Sequence, residues 1–232
     1  MPRKACVLYS GGKDSTRTIE LVQRMGYEVS CLITMVARNP DSYMLHTSSI
    51  EWTKLSASAL GIPIVFGETD GQKESELEDI KSTIESARMG FDFDYVAAGA
   101  IASVYQKERI EGICWSLSLK LVAPLWGTEQ FSYLRNLVRD GYSFILTSVS
   151  AEGLDRQWLG RSIGIQEVEL LGALSRKNGF NVAFEGGEAE TFVLDCPIFR
   201  RGYLKLGSTS VDWRGSYGRL MIHDMELLPR VG

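Results

Sequence analysis

Apolar positions along the first half of the chain alternate between two periods. Ala5–Tyr9 is a short apolar run, and Ile19, Leu21 and Val22 then mark one face of a helix over Ser15–Met25 that stops near Gly26. Val29–Met35 repeats the strand signal. Ile50, Trp52, Leu55 and Leu60 fall at helical spacing over Ser48–Leu60, before Gly61. Ile62–Phe66 predicts a third strand, Ser75–Met89 a charged amphipathic helix ending at Gly90, Tyr95–Ala98 a fourth strand and Val104–Leu119 a long helix. Short apolar strands alternating with helices predict parallel βαβ units and a doubly wound sheet, with right-handed crossovers.

Beyond Pro124 the alternation loosens. Thr128 is placed to cap a helix through Asp140 built on Phe131, Leu134, Leu137 and Val138. Tyr142–Val149 reads as a strand, and Gln166–Lys177 as a helix with Gly179 as its stop. The last segment is strand-rich, with Thr191–Leu194, Tyr203–Leu206, Ser208–Trp213 and Arg219–His223. The transition falls around residues 124–130, which divides the chain into a parallel α/β unit over 1–127 and a smaller α/β unit over 128–232. No repeat or low-complexity tract interrupts either.

Composition narrows the class. The 232 residues are 44% hydrophobic, ordinary for a globular protein, and no apolar run reaches the roughly 18–20 residues of a membrane span. Met1-Pro2-Arg3-Lys4 leads straight into the first strand without a small-residue cleavage site, as expected of neither a signal nor a transit peptide, so the expected location is cytoplasmic. Cys6, Cys31, Cys114 and Cys196 form no CxxC pair, so reduced, non-catalytic thiols are expected. A formal net charge of −4 argues against stable nucleic-acid binding, which draws its affinity from basic surface.

Chemistry enters at Ser10-Gly11-Gly12-Lys13-Asp14-Ser15, between the first strand and the first helix. Two glycines let successive N–H groups converge on an anion, and the helix N-terminus adds its positive dipole end. Ser10 and Ser15 offer hydroxyls and Lys13 a positive charge. Asp14 fits as a helix cap or as the holder of a magnesium ion that offsets phosphate charge. The spacing matches neither the Walker loop nor GxGxxG.

This loop resembles that of the N-type ATP pyrophosphatase (PP-loop) superfamily. The resemblance implies a five-stranded parallel sheet of the adenine-nucleotide α-hydrolase-like, HUP type, with ATP split to AMP and pyrophosphate. Further along stand Gly99-Ala100-Ile101, Tyr105-Gln106-Lys107-Glu108-Arg109-Ile110-Glu111, Pro124-Leu125-Trp126 and the run from Glu185-Gly186-Gly187-Glu188-Ala189-Glu190-Thr191 to Pro197. Together they resemble the diphthine–ammonia ligase (diphthamide synthetase) family over nearly the whole chain. That resemblance implies amidation of diphthine on translation elongation factor 2 through an acyl-adenylate attacked by ammonia, with ATP and magnesium required. Free ammonium is the expected nitrogen donor, and the oligomeric state is left open, a homodimer included.

Residue roles follow from the same resemblance. Ser10 to Ser15 bind phosphates, with Lys13 and Asp14 catalytic and Asp14 the metal ligand. Strand ends form the ligand crevice, so Ile33, Thr34 and Met35 and Gly99, Ala100 and Ile101 frame the adenine, with His46 beside the nucleotide. Tyr105 and Arg109 lie one turn apart on a helix face. Arg109 and Glu111 are expected to serve catalysis and Tyr105 to contact substrate, the competing reading being a solvated face of paired charges. Glu185, Gly186, Gly187 and Glu190 are assigned to substrate and Glu188 to catalysis. The three carboxylates suit a trimethylammonium group, an ammonium ion or magnesium, and crowded carboxylates call for a cation. His223 reads as structural, and Trp115, Trp126, Trp158 and Trp213 as core or interface aromatics. Two other functions remain: an ATP-dependent tRNA base-modifying enzyme of the same superfamily, and a non-catalytic ATP-binding module.

Overall fold

A computed structural model describes residues 2–37, 49–70 and 75–230. Five strands, β1 (Arg3–Leu8), β2 (Tyr27–Ala37), β3 (Ile64–Thr69), β4 (Tyr95–Ala97) and β5 (Lys120–Val122), form one sheet in the order β3-β2-β1-β4-β5. All of its pairings are parallel. The helices α1 (Lys13–Arg24), α2 (Thr53–Leu60), α3 (Ser75–Gly90) and α4 (Val104–Ser116) supply the crossovers. Because strand side chains alternate, β1 sends Ala5 and Val7 to one face and Cys6 to the other. Cys6 joins Cys31, Ile33, Met35, Ile80, Ile84 and Val96 in a compact core under α3 and α4.

Ala5 and Val7 join a larger core that runs without a break into the second half of the chain, reaching Leu134, Phe144, Val168, Phe192 and Leu220. There α5 (Gln130–Arg139) and α6 (Ile165–Asn178) accompany β6 (Ser143–Val149), β7 (Ala189–Asp195), β8 (Tyr203–Leu206), β9 (Thr209–Trp213), β10 (Gly218–Ile222) and β11 (Met225–Leu228). β7-β6-β10-β9 make a four-stranded antiparallel sheet, and β11-β8 a two-stranded one. A polar clamp crosses the two halves. Glu20, almost fully buried, accepts from Arg17, Arg24 and the Tyr142 hydroxyl (2.6 Å), while Arg17 also reaches Asp140.

Several sequence expectations need correction. The long fourth helix stops at Ser116, because Ser118 turns left-handed (φ 56°) and Lys120–Val122 becomes the fifth strand. The helix expected over Ser48–Leu60 opens as a 3₁₀ turn at Ile50–Trp52, with Ser48 outside the described residues. Glu129, not Thr128, caps α5: its carboxylate accepts from the Phe131 and Ser132 amides. Hydrogen bonds from Ser132, and then from the Phe131 amide, hold the Glu129 pKa below the usual value. β11 was not anticipated. Of the tryptophans expected in a core or an interface, Trp158 is buried and Trp115 is 84% exposed on α4. His223 is exposed and pairs with Ser210 across β9 and β10. All four cysteines are buried free thiols, and burial pushes Cys31 and Cys196 up to about 12 and Cys114 to about 11. Among the described residues no helix is long and apolar enough to cross a membrane.

Candidate functional site

Strand order reverses between β1 and β4, and a cleft of about 440 Å³ opens beyond their carboxyl ends. Open α/β sheets place ligands at such a switch point, and the volume lies within the range of ligand sites. One end is apolar, floored by Leu8, Leu77, Ile80, Ile110 and Leu121. The other holds Ser10, Gly12, Lys13, Asp14 and Ser15 together with Glu185, Glu190 and Thr191.

The phosphate-type loop is built by two parts of the chain. Gly11 sits at φ 79°, and a Cβ there would lie 2.6 Å from the Phe192 ring. β7 braces this turn: the Val193 amide donates to the Gly11 carbonyl (3.0 Å), and the Lys13 amide donates to Thr191 Oγ1 (3.1 Å). Within the loop, the Ser10 amide donates to Ser15 Oγ, and the two hydroxyls lie 3.2 Å apart. Gly99 presses against the first turn of α1, where a Cβ would stand 2.9 Å from the Asp14 carbonyl carbon.

Lys13 is 2% exposed. Its ammonium donates to Asp14 Oδ2 (2.8 Å) and to the Ala183 carbonyl (2.7 Å), and lies over the Phe184 ring. Asp14 Oδ1 accepts from the Tyr133 hydroxyl of α5 (2.8 Å). Burial, and then the Asp14 charge, push the Tyr133 phenol well above its ordinary pKa. Phe184 itself holds φ 66°, a costly conformation for a bulky residue that tends to mark functional sites.

The acidic run folds into a turn whose members differ. Glu185 Oε2 accepts from the Ile101 and Ala102 amides (3.1 and 3.2 Å), tying the turn to the segment after β4. Burial raises its carboxyl pKa, with the Asp14 charge second; the two amides oppose the rise. Glu188 accepts from the Asn181 amide with one oxygen and the Gly186 amide with the other (2.9 and 2.8 Å). It clamps the turn and does not line the cleft, and Gly186 does not either, whereas Gly187 and Glu190 do.

The other sequence-picked residues divide similarly. Tyr105 and Arg109 both line the cleft, the guanidinium 3.7 Å from the ring centroid. Glu111 is exposed on α4 outside the lining. Gly99 and Ala100 line it, but the Ile101 side chain lies in the core and only its amide takes part, through Glu185. Ile33 and Met35 point into the core under α3, and Thr34 donates to the Tyr9 carbonyl (2.6 Å). These side chains do not frame the cleft, because β2 is an interior strand covered on both faces. Gly11, within the loop, does not line the cleft and packs against the Phe192 ring. His46 lies outside the described residues.

Sequence reading overlooked Tyr133, Thr147, Phe184 and Thr191, and the apolar floor as well. All four come from the second half of the chain; Thr191 ends the acidic run without being given a role of its own, and Tyr133, Thr147 and Phe184 carry no motif. The floor residues read as ordinary core periodicity. A magnesium ion usually keeps waters and binds through one or two carboxylates plus phosphate. Asp14, at the mouth of the loop, fits that donor set. Among the described residues no group of three His, Cys, Asp or Glu side chains converges as an all-protein metal cage.

Known proteins similar to this chain agree with one another. A Danio rerio protein named diphthine–ammonia ligase is 34% identical over 216 residues, covering 84% of this chain and 83% of the relative. A Rattus norvegicus protein of the same name is 32% identical, covering 85% and 81%. A solved chain from Methanocaldococcus jannaschii, described as a predicted subunit of tRNA methyltransferase, is 19% identical with a TM-score of 0.42 over 84% of this chain and 98% of its own. That likeness is too slight to bear on function. The family model for the diphthamide synthase N-terminal domain matches residues 3–121, and the model for its C-terminal domain matches residues 129–228. With both models matched in order across one cleft, this chain belongs to the diphthamide synthase family.

Proposed function

We propose that this chain amidates diphthine on translation elongation factor 2, using ATP and ammonia and releasing AMP and pyrophosphate. The observation that carries the reading is the cleft itself. A glycine-rich anion loop at the switch point faces the Glu185–Glu190 turn inside one cavity, in a chain whose relatives are named diphthine–ammonia ligases.

The loop is suited to the triphosphate. Hydroxyls of Ser10, Ser15 and Thr191 now engage its amides, and phosphate oxygens replace them without reshaping the backbone. Lys13 exchanges its contact with the Ala183 carbonyl for the leaving pyrophosphate, and preorganised positive charge at that point is the main catalytic lever. Asp14 would hold a magnesium ion, whose charge would offset that of the phosphates. The adenine occupies the apolar end over Leu8, Ile80 and Leu121, replacing the assignment to Ile33, Thr34 and Met35. Arg109, stacked on Tyr105 in the cleft lining, is the cation assigned to the anionic end of the acceptor.

The substrate carboxylate oxygen attacks the α-phosphorus and the bond to pyrophosphate breaks. Ammonia then attacks the acyl carbon, the bond to AMP breaks, and a proton leaves the nitrogen. Residues 1–127 carry the nucleotide and residues 128–232 the acceptor side, although one core unites them. Cytoplasmic placement follows from the factor being the substrate, and no stable nucleic-acid contact is required.

The test is mass spectrometry of factor carrying diphthine after incubation with protein, ATP and ammonium chloride, with AMP and pyrophosphate assayed in parallel. Conversion of the carboxylate to carboxamide, matched by AMP, is expected. ADP and orthophosphate as the only products, or pyrophosphate release driven by tRNA and not by the factor, would overturn the proposal.

A further inference from the structure

β6 and β7 run antiparallel, but their register slips once beside the cleft. Leu146 stands opposite Thr191 and Ser148 opposite Glu190, so Thr147 has no opposite residue in the ladder. A bulge of this kind bends the strand and re-aims the extra side chain, and bulges gather next to active sites. Thr147 is fully buried and lines the cleft. Its hydroxyl oxygen has no hydrogen-bond partner among the described residues.

A buried hydroxyl left without a partner is unfavourable. Valine has nearly the same shape and would remove that penalty, so packing alone gives no reason for a hydroxyl here. A bound group does. The same cleft contains Glu185 and Glu190, and its lysine beside the loop, Lys13, is already shared between Asp14 and the Ala183 carbonyl. This wall is therefore rich in acceptors. The ligand that suits it is small, carries several N–H donors and tolerates a positive charge.

We infer that Thr147, together with Glu190 and Glu185, forms the subsite that receives the nitrogen donor as ammonium beside the phosphate loop. The inference rests on the ligase reading and gives its second substrate a place. Thr147 accepts one N–H and the carboxylates balance the charge; one proton passes from the ammonium to water before the freed lone pair attacks the acyl carbon, and the bulge keeps the hydroxyl from being satisfied inside the sheet.

The test is the steady-state rate of carboxamide formation on diphthine-carrying factor as ammonium chloride is varied. Thr147→Val is compared with wild type and with Thr147→Ser, and ATP and factor are titrated separately. Thr147→Val is expected to raise KM for ammonium about tenfold, the scale of one hydrogen bond to a charged ligand, with KM for ATP unchanged. Its thermal midpoint should equal or exceed that of wild type, and Thr147→Ser should restore the ammonium KM. An active wild type whose Thr147→Val variant keeps its ammonium KM, or shifts only the KM for ATP or for the factor, would overturn this assignment alone. A wild type that forms no carboxamide would overturn the ligase reading and this site with it.

Discussion

Replacing Gly99 by alanine tests whether the segment after β4 and the first turn of α1 are packed as closely as the site requires. The added Cβ would meet the Asp14 carbonyl carbon at 2.9 Å and the Asp14 oxygen and Ser15 nitrogen at 3.1 Å. All three are backbone atoms at the start of α1, so no side chain can swing aside; the loop or the helix must move. Overpacking of this kind costs about 1–3 kcal/mol. In a chain of this size 1 kcal/mol lowers the melting midpoint by roughly 2–4 °C, so a fall of about 2–12 °C is expected. Because the moved atoms belong to the anion loop, ATP affinity should fall as well. Gly112 is the internal control: it lies in α4, and a Cβ there would find nothing within 4 Å. Gly112→Ala should gain about 0.5–1 kcal/mol from reduced backbone freedom in the unfolded chain. Thermal unfolding followed by circular dichroism, with calorimetric titration of ATP, reads both effects. A Gly99→Ala protein that melts with wild type and binds ATP equally well would refute the close-packing argument.

Tyr133→Phe removes the hydroxyl that holds Asp14 Oδ1. Losing a hydrogen bond to a charged group costs about 1.5–3 kcal/mol, read as a lower melting midpoint together with weaker magnesium dependence of ATP binding. Glu185→Gln keeps an acceptor for the Ile101 and Ala102 amides and removes the charge. Since burial raises the Glu185 pKa in the folded chain, the folded state holds this proton more tightly than the unfolded one. Its contribution is full below the unfolded value and is lost as pH rises through the raised value. The midpoint of Glu185→Gln relative to wild type should therefore climb as pH rises from about 4.5, and a pH-independent difference would refute the assignment. Glu20→Ala leaves the Tyr142 hydroxyl without its partner and Arg17 with Asp140 alone, and should cost about 1.5–3 kcal/mol, measured by denaturant unfolding.

The parallel half was readable because strand and helix periods alternate cleanly there, and Ser10 to Ser15 announce themselves through two glycines and a lysine ahead of a helix. β5 escaped because three residues directly after a helix carry too little pattern to separate from it. β11 escaped for a like reason, its four residues following β10 at a two-residue turn. Of the residues that motifs pick out, most of the loop, Tyr105, Arg109, Glu185 and Glu190 line the cleft. Motif reasoning misjudged Ile33 and Met35, because burial on both faces of an interior strand looks the same in sequence whether or not a ligand lies at the strand end. Glu188 was chosen for its charge, yet its two oxygens hold the Asn181 and Gly186 amides, and hydrogen-bond geometry leaves no mark in a sequence. Thr147 was invisible for the same reason: only the pairing of two strands reveals that it is the extra residue.

The bracing of the anion loop by β7 has a consequence for how variants behave. Thr191 holds the Lys13 amide from 178 positions away, and Phe192 fills the space beneath Gly11. A substitution at either position would surface as poor nucleotide affinity although neither side chain carries a phosphate-binding motif. Excising residues 128–232 would strip the loop of its backing and lay bare the shared core, so the first half should not survive as an independent ATP-binding unit.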